Sequence, residues 1–250
     1  MLGWLAARAI PGVERIERAA YRRTALLSHG PGIVELRREG ARPAEAGPAA
    51  KRVFGLDADT AAIASVLGAD PLLRPLLAAR PGLRLPGCFD GYELAVRAVL
   101  GQQVTVRAGR TLAARITAEH GEPLADPEPG LTHLFPAPDA LARVDVGGMP
   151  ASRARAIRAL ASAVVDGLAI EPGADVRDSL LALPGIGPWT VEYVAMRALR
   201  DPDALPAGDL VLRRALGGIS EAEVRRRAEA WRPYRAYGAM HLWTAAAARP

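Results

Sequence analysis

Beyond Thr60 the apolar residues recur at intervals of three to four, the spacing that puts them on one face of a helix. On this criterion helices are predicted over Thr60 to Leu67, Leu72 to Ala79, Asp90 to Leu100, Val104 to His120, Pro138 to Val144, Ser152 to Asp166, Val176 to Leu183, Pro188 to Leu199, Leu210 to Leu216 and Ser220 to Trp231. The front of the chain reads differently. Leu2 to Ile10 is a short helix broken by Pro11-Gly12, and Tyr21 to Leu27 and Ile33 to Arg37 read as strands separated by Ser28-His29-Gly30-Pro31-Gly32. Gly40 to Ala50, rich in Ala, Pro and Gly with neither period, is expected to be a linker. The expected class is α+β, mostly α-helical: a small, reduced N-terminal antiparallel β unit with its linker over 1–50, then a helical body over 51–250. No internal repeat is visible.

One junction between helices carries chemistry. Pro184 and two glycines, Gly185 and Gly187, end the helix that begins at Val176, and Pro188 suits the first turn of the next, where a missing N–H costs nothing. Such a turn leaves backbone N–H groups directed outward at the positive end of a helix dipole, a site for phosphate. Gly-x-Gly turns join many helix pairs, so the turn alone does not identify a function. Twenty residues on, Pro206-Ala207-Gly208-Asp209 precedes another helix. Asp209 reads as its N-cap, a role worth roughly 0.5–2 kcal/mol that would by itself account for the residue.

At these residues the chain resembles the helix-hairpin-helix DNA glycosylases, and most closely their AlkA-type 3-methyladenine DNA glycosylase II branch. Met1-Leu-Gly-Trp-Leu-Ala-Ala-Arg-Ala9, Ala79-Arg-Pro-Gly-Leu-Arg-Leu-Pro-Gly-Cys88, Gly101-Gln-Gln-Val104 and Tyr237-Gly-Ala-Met-His-Leu-Trp243 are similar to the same branch, in its order, so the resemblance covers nearly the whole chain with the hairpin at about 176–199. It implies that Asp209 is the catalytic aspartate of an enzyme that hydrolyses the N-glycosidic bond of alkylated bases (3-methyladenine, 7-methylguanine type) in DNA and leaves an abasic site. The physics suits both jobs of Asp209, since an anion fixed beside the sugar stabilises the positive charge that develops as the bond breaks.

The resemblance also implies the surroundings. Trp4, Gln102, Trp189, Tyr193, Leu210 and Trp243 would form the base pocket, a π-lined slot that favours cationic alkylated purines. Any one of these aromatic residues, taken singly, would be read as core. Leu210 stands where some relatives carry an aromatic, a difference that bears on substrate range. Gln103 would enter the gap in the base stack once the damaged nucleotide is rotated out, while Gly185, Ile186, Gly187 and Thr190 would bind the DNA backbone. The carbonyls of Leu181, Leu183 and Ile186 would hold a monovalent cation, with no other cofactor. The implied partner is double-stranded DNA containing damaged bases, met by a monomer. Two departures follow: family members carry strand-forming sequence before the position of Met1, and more of it where this chain has Gly40 to Ala50. The front sheet is therefore expected to be reduced or incomplete.

Composition sharpens this at three points. A formal charge of +5 permits a polyanionic partner. The single cysteine, Cys88, excludes an internal disulfide and the iron–sulfur cluster of the related endonuclease III branch, and is expected to be a small buried apolar residue. The one lysine, Lys51, lies far from the hairpin, and Trp189 stands where the lyase branch has its Schiff-base lysine, so no lyase activity is expected. No uninterrupted apolar run is long enough to span a bilayer and no secretory signal is legible, so the protein is expected to be cytoplasmic. The Arg213-Arg214, Arg225-Arg226-Arg227 and Arg232 to Arg235 groups, interleaved with Glu221, Glu223 and Glu229, read as solvated helix faces, and His241 as structural. The alternatives are a helix-hairpin-helix DNA-binding module without turnover and a glycosylase of the same fold for other damaged bases.

Overall fold

A computed structural model describes residues 1–144 and 147–248. The chain opens with helix α1 (Leu2–Ala6) and a four-stranded antiparallel meander, β1 (Glu14–Glu17), β2 (Ala20–Leu27), β3 (Gly30–Arg37) and β4 (Gly40–Arg42), in sequential order. Helix α2 (Gly47–Phe54) then packs Ala50, Val53 and Phe54 against Tyr21, Ala25, Val34 and Leu36 of the sheet, forming a small core of its own.

The α+β class and the small front sheet are as expected, but the linker assignment is corrected. Gly40 to Ala50 supplies the fourth strand, a 3₁₀ turn and the start of α2. β4 has only three residues and α2 begins Gly-Pro, so neither shows a period long enough to read. β1 was also missed, for a conformational reason. Its two-residue turn to β2 places Arg18 and Ala19 at φ 46° and 62°, left-handed angles that hairpins usually assign to Gly, Asn or Asp.

The body follows as α3 (Thr60–Leu67), α4 (Leu73–Ala79), α5 (Gly91–Leu100) and α6 (Val106–His120). Next comes an unforeseen hairpin, β5 (Pro123–Glu128) and β6 (Leu131–His133), that lies against the front sheet. Arg22 of β2 makes a bidentate pair with Glu128 at 2.6 and 2.7 Å, and Thr24 Oγ1 donates to His133 O at 2.7 Å. β2 is thus covered on both faces. Helices α7 (Pro138–Arg143), α8 (Ala151–Val165), α9 (Arg177–Leu181), α10 (Pro188–Val194), α11 (Leu210–Ala215), α12 (Glu221–Ala228) and α13 (Arg235–Ala247) complete the body around the main core. No helix was predicted at α13. Ala236 to Leu242 are all buried, so this helix is apolar on every side and shows no stripe.

Sheet and body are joined by buried charge. Arg23 Nη2 meets Glu93 Oε2 at 2.5 Å, and Arg97 Nη1 contacts Glu14 Oε2 at 2.9 Å and Glu93 Oε1 at 2.8 Å. Glu14 also accepts the Ile10 N–H at 2.8 Å and the Tyr21 hydroxyl. Burial alone would raise the Glu14 carboxyl above the ordinary range, but Arg97 and Arg23 overcome it and hold the group low.

Two stability predictions follow from these burials. Arg23→Met leaves two buried carboxylates sharing Arg97 and should cost about 3–5 kcal/mol in urea unfolding, the usual penalty for breaking a buried pair. His241, buried in α13, has its pKa pushed down by burial to about 4. The unfolded chain therefore takes up a proton that the folded ring refuses, and stability should fall as pH drops from about 6.5 toward about 4. A pH series of thermal melts should show this slope in the parent protein and a flatter one in His241→Phe.

Candidate active site

Asp209 caps α11 as its sequence suggests, with Oδ1 accepting the Leu212 N–H at 2.8 Å. Two further donors come from other helices: Trp243 Nε1 of α13 reaches Oδ1 at 2.9 Å, and Trp189 Nε1 of α10 reaches Oδ2 at 3.0 Å. An ionised carboxylate has about four lone-pair sites, so these three bonds leave one, on Oδ2. Both oxygens are fixed in space, and the half-buried group still faces a cleft of about 1470 Å³. That volume exceeds what a single base requires, and the cleft lies open at its mouth.

The cleft wall is aromatic. Trp189 and Tyr193, one helical turn apart, stack at 5.3 Å with planes 11° apart, and Trp243 lies 6.3 Å from Tyr193. Trp4 joins from α1, with the guanidinium of Arg8 3.7 Å and that of Arg197 4.3 Å from its ring. Leu210 is exposed at the mouth beside Val211 and Val106. All six residues expected in a base pocket line this one cleft.

Gln102 and Gln103 form the turn between α5 and α6. Gln102 Nε2 donates to Gly185 O at 2.9 Å and to Thr190 Oγ1 at 3.0 Å, tying this turn to the α9–α10 hairpin. Gln103 is exposed with φ 55°, a left-handed conformation that costs a side-chain-bearing residue roughly 1–2 kcal/mol.

In the hairpin Gly185 adopts φ 79°, and a Cβ there would sit 2.9 Å from Ala156 Cβ of α8. Gly187 is the N-cap of α10 with no side-chain cap, so the first-turn N–H groups remain available to an anion. Ile186 and Thr190 are buried, and what they can offer DNA comes from the backbone. Leu181, Leu183 and Ile186 lie outside the cleft lining, and Leu183 O accepts the Ile186 N–H at 3.2 Å. Among the described residues no His, Cys, Asp or Glu cluster could hold a metal.

Arg197 was not foreseen. Beyond Val194 the helix widens into a π turn, Ala195–Leu199, which buries Arg197. Its guanidinium donates to Tyr193 OH at 2.8 Å, to Gly87 O at 2.7 Å and to Pro86 O, fixing two walls of the cleft at once. Its spacing of four from Tyr193 was the only legible sign. Cys88 also lines the cleft, where burial pushes its thiol up to about 12, so it is no nucleophile. The arginine groups are largely paired: Arg225 with Glu221, Arg226 with Glu223 at 3.8 Å and Arg235 with Asp203 at 2.9 Å.

A family model described as the AlkA N-terminal domain matches residues 1–90. DNA-3-methyladenine glycosylase 2 of Escherichia coli K12 is 37% identical, across 97% of this chain and 92% of its own length. The chain belongs to the AlkA family of DNA-3-methyladenine glycosylases. A probable bifunctional transcriptional activator/DNA repair enzyme AlkA of Mycobacterium tuberculosis H37Rv is 43% identical over 98% of this chain, which spans 54% of that protein. The chain thus covers about half of that relative's length. The 3-methyladenine DNA-glycosylase from Archaeoglobus fulgidus superposes with a TM-score of 0.81 at 22% identity, covering 99% of this chain and 94% of that one, which shows a shared fold.

In this AlkA family member the hairpin glycine is constrained twice, by backbone angle and by the approach of α8. Gly185→Ala should cost about 1–2 kcal/mol from the left-handed angle alone, with the Ala156 contact adding to it. Urea unfolding measures the loss, and fluorescence anisotropy with a duplex should show weaker DNA binding at unchanged net charge.

Proposed function

We propose that this chain is a monofunctional DNA glycosylase that rotates alkylated bases out of duplex DNA and hydrolyses their N-glycosidic bond, leaving an abasic site for base excision repair. The observation that carries this reading is the Asp209 carboxylate, fixed by two indole N–H groups and a helix N-terminus with one lone pair of Oδ2 left over, beside an aromatic slot. A flipped purine carrying a positive charge gains about 0.5–2 kcal/mol by cation–π attraction to such faces. As the bond to the sugar lengthens, positive charge moves onto the sugar. A carboxylate 4 Å away stabilises that charge by about 4 kcal/mol at an effective dielectric near 20, roughly a thousandfold in rate. The free lone pair of Oδ2 serves equally to orient the incoming water.

Several further features belong to the same reading. The α10 N–H groups beside Gly187 take a DNA phosphate, and Gln103, exposed at the cleft mouth, fills the space that the base vacates. The carbonyls of Leu181, Leu183 and Ile186 supply hard oxygen donors of the kind that hold a monovalent cation, and no iron–sulfur cluster takes part. The absence of lyase chemistry rests on residue inventory: Lys51, the one lysine, is exposed on α2 and Trp189 takes the lyase position. Such an enzyme works as a monomer in the cytoplasm, where duplex DNA is its partner. Among the described residues no helix is long and apolar enough to cross a membrane.

Asp209→Asn tests the assignment, since Asn caps a helix about as well as Asp and the fold should persist. Release of free 7-methylguanine from methylated duplex should fall at least a hundredfold, with the circular dichroism spectrum unchanged. Borohydride should trap no protein–DNA adduct in either form. A folded parent protein that binds DNA and frees no methylated base would overturn the proposal.

A further inference from the structure

The turn at Gly101 to Val104 is held by more than its own residues. Gln103 sits at φ 55°, and a strained backbone persists only where its surroundings over-determine it. The peptide unit preceding Gln103 carries the Gln102 carbonyl, and Arg153 Nη2 of α8 donates to that oxygen at 2.6 Å, a short charge-assisted bond. Relaxing Gln103 to a right-handed angle would rotate this peptide and carry its oxygen off the guanidinium. The Gln102 side chain meanwhile spends both donors of Nε2 on the hairpin, at Gly185 O and Thr190 Oγ1. One turn along α8 from Arg153, on the same face, Ala156 lies against Gly185. A single face of α8 therefore supports the strained turn and the hairpin together.

We propose that Arg153 is a positioning residue that keeps the Gln103 turn cocked, and that Arg153 and Gln102 together couple phosphate capture at the hairpin to base extrusion at the turn. This inference rests on the glycosylase reading for its consequence, though not for its geometry. Arg153 touches no reacting atom. What it contributes is a turn already in its working shape when the hairpin docks, so that extruding a paired base need not also reorganise the backbone.

Two measurements test it with Arg153→Ala and Arg153→Lys. In hydrogen–deuterium exchange, the amides of residues 101–105 should exchange at least about fivefold faster in Arg153→Ala, with the α3–α4 region unchanged. Single-turnover release of 7-methylguanine should fall about tenfold in Arg153→Ala when the lesion is paired, and less than about twofold when it lies opposite an abasic gap. Arg153→Lys, which keeps the charge but not the fork, should fall between parent and Arg153→Ala on the paired lesion. Equal losses on both duplexes in Arg153→Ala, recovered in full by Arg153→Lys, would make Arg153 a simple phosphate contact and overturn the proposal. Unchanged exchange at residues 101–105 would do the same. Should the parent protein release no base from either duplex, the glycosylase reading fails by itself, and the exchange experiment still decides the role of Arg153.

Discussion

Three buried charges, Glu14, Arg23 and Glu93, and the half-buried Arg97 hold the front sheet against α5, and the cleft takes its shape from that junction. Arg97 also donates to Arg8 O at 2.6 Å, at the end of the helix that carries Trp4. The other end of α5 leads directly into the Gln102 turn. One neutral cluster of two acids and two bases thus sets the positions of two cleft walls. Removing ions from water costs several kcal/mol each, so the arrangement is tolerated only because each carboxylate is matched and the remaining lone pairs are used, as by Ile10 N–H and the Tyr21 hydroxyl on Glu14. The sheet has only two strands of eight residues, flanked by two of four and three, and shares a small core with α2. Docked through these ions and covered by the β5–β6 hairpin, it becomes part of the site.

The same economy appears at Asp209. Its cap position makes the carboxylate part of α11, while the indoles of Trp189 and Trp243 bring α10 and α13 to it. Each tryptophan offers a ring to the cleft and an N–H to the acid, so the aromatic slot and the anion cannot move independently. Arg197 repeats the device through Tyr193 and the carbonyls of Gly87 and Pro86. Charged hydrogen bonds between elements far apart in the chain, rather than loop rigidity, set the geometry of this cleft.

Most of the helical body was legible because its helices bury one stripe and expose the rest, which writes a period of 3.6 into the chain. The elements that were not legible each lack that stripe. Seven consecutive residues of α13 are buried, β4 is three residues long, and the turn from β1 to β2 uses Arg18 and Ala19 at angles that neither residue signals. Among candidate site residues, Asp209, the four aromatic residues and Gln102 that line the cleft with it, and the hairpin glycines could be named from motif and family order. Arg197 and Arg153 could not, because an arginine in an arginine-rich chain carries no mark of what it will face.

Local chemistry was therefore settled by the residues in order: glycine where the hairpin needs a left-handed angle, proline at N1, aspartate at an N-cap, and an inventory with one lysine and one cysteine. These depend on neighbours within a few positions, and such neighbours are visible in the chain. Which arginine would be buried, which indole would turn its N–H to Asp209, and which carbonyl Gln102 would find depend on partners 20 to 111 positions away. Those contacts exist only once packing has fixed the helices, and hydrogen bonds of that reach leave no periodic trace in the sequence.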